Sequence, residues 1–317
     1  MPKSCSLQVD IISACLNSEQ YLSEMIESVL NQDYPRIELF IQDGGSTDGT
    51  FDILRRYPIR WESEPDNGIS QALNRAIAAT RGEVIGFTST DDLLQPRAVN
   101  AAVQVFNKRP EIVMVYGDCH LMDLKRLPFK LWRSRPFDLD KLFWENYIPY
   151  QTVYVRRKAL KEVGYFDEDL KLVQDWDLWI RLGAHFPAEC FKYIPRIQGQ
   201  YLFHDNTAGW DMEEVTRCLT IVAKKFFNNE GMVAHLEKGK SQAIAGVLLN
   251  ISIAQFAAGY TIKAWKTYKT AIQVHPKALF MKKGLFSFLR LVFRHRFWSV
   301  SKRMQKYMSL RSVTLKG

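Results

Sequence analysis

Over the first 118 residues, short apolar runs alternate with stretches whose apolar side chains recur every three or four positions. Val9–Ile12, Ile37–Ile41, Val84–Phe87 and Ile112–Tyr116 are strand-length and rich in β-branched residues. Between them, Tyr21, Leu22, Met25, Ile26, Val29 and Leu30 share one helical face, as do Ile69, Leu73, Ala76 and Ile77. Such strand–helix–strand repetition predicts an α/β fold with a mostly parallel sheet covered by helices on both faces. Ligands of such sheets gather beyond the carboxyl ends of the strands. Asn17, Asp43 and the doublet Asp91–Asp92 all fall there.

From Phe129 the pattern loosens into extended or loop segments around Pro136 and Pro149. Gln151–Val155 predicts a strand, followed by a short helix ending near Gly164, and a further helix begins near Asp175. After Gly209 helices are expected almost to the end, with breaks at Gly231 and Gly239. This places a catalytic-type α/β domain over 1–208 and a helical region over 209–317.

Composition changes the picture in two places. The net charge of +9 hides a division: 238–317 holds 16 Lys and Arg with no acidic residue, leaving 27 basic against 34 acidic residues in 1–237. Such a split suggests two jobs, one of them with an anionic surface. The uncharged run 241–262 approaches spanning length, but Gln242, Asn250, Ser252 and Gln255 make it a packed helix rather than a membrane span. The five cysteines are scattered without any Cys-x-x-Cys pairing, and the first residues lack an apolar leader. Both features point to a reducing compartment, the cytoplasm.

Three stretches carry candidate chemistry. "IQDGGSTDGT" (41–50) is a strand leaving into a Gly-rich turn. A plain turn explains most of it, but Asp43, the last residue of a buried strand, is also suited to hold a base or ribose. In "SEPDNGISQALNRAI" (63–77), Asp66 or Asn67 caps a helix, or the turn and Asn74 meet a phosphate or sugar. In "GFTSTDDLLQP" (86–96), a buried strand runs into two adjacent carboxylates with no basic residue within four positions. Either the doublet is solvated or a cation from outside the chain neutralises it. Mg²⁺, which takes one or two carboxylates together with water and substrate phosphates, suits that place.

These segments, with "IISACLNSEQYL", "VYGD", "GYFDEDL" and "VQDWDLWIRL" in order over 7–205, resemble glycosyltransferase family 2 of the bacterial surface-polysaccharide type. The resemblance implies a GT-A fold, a nucleotide-diphosphate sugar donor, Mg²⁺ or Mn²⁺, and inversion at the anomeric carbon. It places Asp43 at the nucleobase, Ala14 and Asn17 along the nucleotide, Ser89 at the ribose, and Asp66 and Asn74 in the same donor site. Asp91, with Asp92 beside it, becomes the metal-binding position, and His204 completes the metal shell or contacts the diphosphate. Asp175 becomes the catalytic base, with Asp177 in reserve. Three departures are visible: Ser89 stands for a usual Asp or Asn, Gly44 for a frequent second Asp, and Leu16 for a common aromatic.

The C-terminal region adds two signals. Gly259, Ala264, Tyr268, Ala271 and Pro276 resemble one tetratricopeptide unit, a helical hairpin over about 243–276. Over 282–310, apolar residues at helical spacing interleave with Arg and Lys. Such a helix either lies in an anionic membrane interface or packs inward. No nucleic-acid motif accompanies the charge. Transfer of a sugar to a lipid-linked or oligosaccharide acceptor at the inner membrane face is the leading expectation. The alternatives are an inactive scaffold and a nucleotidyltransferase. The latter would need a basic phosphate-gripping loop where Ser13–Asn17 has none.

Overall fold

The computed structural model describes residues 7–204, 211–227, 240–257 and 260–280. Gly209, Gly231, Gly239, Gly259 and the basic segment 282–310 lie outside the described residues. In chain order the elements are β1 (Val9–Cys15), α1 (Leu22–Leu30), β2 (Ile37–Asp43), α2 (Thr50–Leu54), β3 (Arg60–Ser63), α3 (Ile69–Ala79), β4 (Val84–Phe87) and β5 (Leu93–Leu94). Next come α4 (Ala98–Lys108), β6 (Met114–Met122), β7 (Pro128–Trp132), α5 (Leu139–Trp144), β8 (Tyr154–Arg156), α6 (Arg157–Val163) and α7 (Gln174–His185). The last are β9 (Phe191–Leu202), α8 (Met212–Phe227), α9 (Lys240–Ala257) and α10 (Thr261–Val274).

One sheet runs in the order β3-β2-β1-β4-β8-β6-β9-β5, with β7 paired to β6. β3, β2, β1 and β4 are parallel. β8 then reverses direction against both β4 and β6, and β6 pairs with β9 in parallel, so the sheet is mixed with its longest ladders parallel. The reversal begins where the sequence turns irregular: Tyr150–Thr152 forms a 3-10 turn, and the strand expected over 151–155 starts only at Tyr154.

Alternation along the parallel strands explains why helices cover both faces. Ile12, Phe40 and Phe87 enter one core with Leu73, Ile77 and Trp179, whereas Ile11, Leu39 and Ile41 enter the other with Val29, Val99 and Phe106. A buried ion pair joins these layers. Arg157 at the start of α6 reaches Asp10 on β1 at 2.9 Å, and also donates to the carbonyls of Ile77 and Gly82.

The first core continues past residue 208. Cys218, Leu219, Val222 and Phe226 of α8, and Val247 and Ile251 of α9, pack in it beside Leu142 and Phe143 of α5. α9 is therefore enclosed. Asn250 Nδ2 bonds the Trp144 carbonyl at 3.2 Å, while Ala245 and Leu249 pack on Tyr268 and Ala271 of α10. Contact on several sides accounts for its uncharged sequence. Among the described residues, no helix is long and apolar enough to cross a membrane.

Candidate active site

The Gly-rich turn is organised by Asp43, which is fully buried at the end of β2. Its Oδ2 accepts from Gly45 N at 2.9 Å, Ser46 N at 3.0 Å and Ser63 Oγ at 2.7 Å, and its Oδ1 accepts from Ser46 Oγ. Gly45 has φ 91, a region that favours glycine. Gly44 has a different reason to be small: a Cβ there would stand 2.5 Å from Asp66 Oδ2. Asp66 in turn accepts from Gly68 N at 2.8 Å ahead of α3. Asn17, at φ 49, is stitched to the same turn, donating its N–H to Ser46 Oγ at 2.7 Å and accepting from Thr47 N at 2.8 Å. Ala14 is half-buried opposite Gln42 on β2.

Beside these turns opens a cleft of about 720 Å³ lined by Leu16, Asp66, Asn67, Gly68, Lys171 and Arg217, among others. Leu16 is 58% exposed at its edge. Asn74, expected in the donor site, is bonded to the 166–168 loop. Its Nδ2 donates to Phe166 O and Glu168 Oε1, and its Oδ1 accepts from Phe166 N, all at 2.9 Å. Three such bonds clamp α3 to the 166–168 loop.

The doublet separates at the carboxyl end of β4. Asp92, 1% exposed, turns inward and accepts from Leu202 N at 3.0 Å. Burial, and then the neighbouring Asp91, push its carboxyl well above the usual range. Asp91 stays partly exposed, and His204 Nε2 stands 2.8 Å from its Oδ2. Ser89 is half-buried, and its carbonyl accepts from Asp92 N at 3.2 Å. A basic group does reach the doublet, from the turn between β6 and β7. Arg126 Nη1 donates to the Asp91 carbonyl at 2.9 Å and Nε to Glu24 at 2.8 Å, with the guanidinium 5.8 Å from the Tyr21 ring.

Asp175 lies in the first turn of α7. Val173, just before it, has φ 56, a conformation unusual for a β-branched side chain. Asn146 Nδ2 holds Asp175 Oδ2 at 3.0 Å. Burial raises the Asp175 carboxyl above its ordinary value, with backbone donors and Asn146 opposing. That places it nearer the range of a working base. Asp177, two residues on, is fully buried between Arg181 Nε at 2.8 Å and Lys225 Nζ at 2.9 Å. It is a structural anchor of α7 rather than a reserve base.

Sequence reasoning did not single out Tyr150. Its hydroxyl is buried and makes no hydrogen bond among the described residues. Burial raises its pKa, and Asp175 and then Asp92 add to that, so this side chain stands within the field of both acidic groups.

The residues fit a divalent cation only as an open site. Among the described residues, no group of three or more His, Cys, Asp and Glu is placed to hold a metal. The Asp91–His204 pair offers one carboxylate and one imidazole, a donor set that suits an ion sharing its shell with water and a diphosphate. Asp92 is buried beside it and bonded to Leu202 N.

The family model for glycosyl transferase family 2 matches residues 10–164. The chain is 29% identical over 207 residues to an uncharacterized glycosyltransferase of Rickettsia typhi, covering 62% of this chain and 61% of that protein. It is 28% identical over 198 residues to a PGL/p-HBAD biosynthesis glycosyltransferase of Mycobacterium bovis, covering 60% and 75%. The mannosyltransferase PcManGT from Pyrobaculum calidifontis, solved with GDP-Man and Mn²⁺, superposes with TM-score 0.61 at 18% identity, over 99% of this chain and 88% of that one. At that identity the likeness speaks to fold, and the fold is GT-A.

Proposed function

We propose that this chain, which belongs to glycosyl transferase family 2 and is a glycosyltransferase, moves a sugar from a nucleotide-diphosphate donor to a hydroxyl of a lipid-linked glycan, with inversion. The observation that supports the reading is Tyr150 standing in the field of both Asp175 and Asp92, whose neighbour Asp91 pairs with His204. The Gly-rich turn, Asn17 and the cleft lined by Asp66 receive the nucleotide. PcManGT, solved with GDP-Man and Mn²⁺, supports a sugar nucleotide and a metal.

Asp91 and His204 would hold Mg²⁺ or Mn²⁺, which when bound offsets negative charge on a leaving diphosphate. The chain's own part is proton transfer. Asp175, oriented by Asn146, takes the proton of the acceptor hydroxyl as that oxygen bonds the anomeric carbon. The bond from that carbon to the diphosphate oxygen breaks, and attack opposite the leaving group inverts the centre. The basic region from 238 onward, with 16 Lys and Arg and no acid, supports work at an anionic membrane face.

The test is thermal stability with UDP, GDP, dTDP and CMP, each with and without Mn²⁺. The matching sugar nucleotide is then turned over and the product's anomeric configuration read by NMR. One nucleotide should stabilise the protein in a metal-dependent way and yield the inverted product. Indifference to all four, or a retained anomer, would sink the reading.

A further inference from the structure

The turn between β6 and β7, beside the Asp91–His204 pair, is tightly built and yet holds apolar side chains in water. Asp123 Oδ1 accepts from Lys125 N and Leu127 N, both at 2.9 Å; Asp123 N donates to Leu127 O at 3.0 Å, and Arg126 N to Asp123 O at 2.9 Å. On this frame Leu124 is 65% exposed, Leu127 58% and Phe129 45%. A flexible loop could fold such groups away; this turn is bonded in a shape that presents them.

Charge says what they face. Residues 124–137 contain five basic residues, Lys125, Arg126, Lys130, Arg133 and Arg135, and no acidic one. Lys125 and Lys130 are exposed beside the apolar tip, whereas Arg126 turns back to Glu24 and the Asp91 carbonyl. Behind the tip, Trp132 is edge-on to Tyr201 of β9 at 6.4 Å, and the inner edge of the partly exposed Phe129 meets Phe203, just past β9, at 6.0 Å. β9 leads directly to His204. The tip is therefore coupled to the reaction centre from two sides.

We propose that this hairpin is the seat of the active-site mouth on an anionic lipid surface. Leu124, Leu127 and Phe129 enter the boundary between headgroups and acyl chains, and Lys125 and Lys130 engage headgroup phosphates. Arg126, in the same turn, fixes the distance from that surface to Asp91. The inference rests on the reading that the acceptor is lipid-linked, and gives that acceptor's sugar a defined height at which to meet the donor.

The experiment is flotation of the full chain with vesicles of phosphatidylcholine containing about 30% phosphatidylglycerol, the range in which basic residues bind appreciably. Leu124→Ser/Leu127→Ser/Phe129→Ser should lower partitioning about tenfold or more. Lys125→Gln/Lys130→Gln should lower it about fivefold or more on these vesicles, and leave it unchanged on neutral ones. Hydrogen exchange of the wild-type chain gives a reading that needs no variant: amides of 123–131 should slow when anionic vesicles are added. Unchanged partitioning of the serine variant together with unchanged exchange over 123–131 overturns the proposal, even if the chain binds vesicles through its C-terminal residues. Self-association in the absence of lipid that the serine variant abolishes would assign the patch to a second copy, and also overturn it. Nucleotide thermal shifts on the same variants separate this outcome from failure of the proposed transfer reaction, since the hairpin can fail while donor binding stands, and the reverse.

Discussion

Asp91 and Asp92 stand at the exit of β4, and Asp175 and Asp177 stand in the first turn of α7. In each pair one carboxylate stays partly exposed and the other is buried in the fold. The buried members meet the cost of burial in opposite ways. Asp177 lies between two cations, and Lys225 bonds Asp167 as well at 2.8 Å, so α7, α8 and the 163–167 loop are tied at one point. Asp92 has one backbone donor and, among the described residues, no cation bonded to its carboxylate; Arg126 opposes the rise in its pKa, but burial and Asp91 outweigh it, which favours the neutral form. What this teaches is that two neighbouring acids can be placed for different tasks: one is buried and held by the fold, and the other is left partly open.

Substitutions break this comparison in order of expected effect. Asp175→Asn should reduce transfer about 10²–10⁴-fold, the usual worth of a general base, while the nucleotide thermal shift survives. Substantial residual turnover would move the base elsewhere. Because burial raises this carboxyl, the acid limb of the wild-type rate profile should lie above the ordinary aspartate value of 3.8; a limb at 3.8 or below would contradict the geometry. Asp177→Asn leaves Arg181 and Lys225 without their shared partner. It should cost about 3–5 kcal/mol of stability in urea unfolding, and a loss under about 1 kcal/mol would show the ion pairs to be dispensable.

The doublet should respond more gently. Asp91→Asn should weaken metal-supported nucleotide binding about 10–100-fold, with the metal-free melting temperature unchanged. Equal nucleotide affinity with and without Mn²⁺ in the wild type would remove the cation from the account. Asp92→Asn should change stability by no more than about 1 kcal/mol, and its pH dependence carries the sign. With its pKa raised in the folded state, Asp92 makes wild-type stability fall as pH rises from 3.8 towards the folded value. The asparagine variant, measured with EDTA, should lose that slope. A variant that loses stability steeply at neutral pH would mean Asp92 is ionised and needed as such.

Much of the site was legible along the chain because its parts sit where strands end. β1, β2 and β4 formed where β-branched runs predicted them, and α7 began one residue before Asp175. β3 and β9 were missed: β3 is a largely exposed edge, and β9 is irregular around Pro195, so neither carries a clean alternation. The puzzle of the doublet was framed too locally. No cation lies within four positions, yet Arg126 arrives from a turn 35 residues on, and burial with Asp91 alongside raises the Asp92 carboxyl above its ordinary value. Asn74 and Tyr150 were opaque for the same reason, since the 166–168 loop that occupies the one, and the acids that surround the other, are distant in sequence.

The chain's order of residues by itself determined which segments become strands and helices, and that carboxylates would crowd the open end of the sheet. Both follow from local periodicity and from the direction in which parallel strands point. Only the folded packing decided which of two neighbouring acids is buried, which distant arginine or amide meets the pair, and which carboxyl has its pKa raised. Those choices depend on desolvation and on partners brought together from far along the chain, and neither quantity is a property of any short stretch.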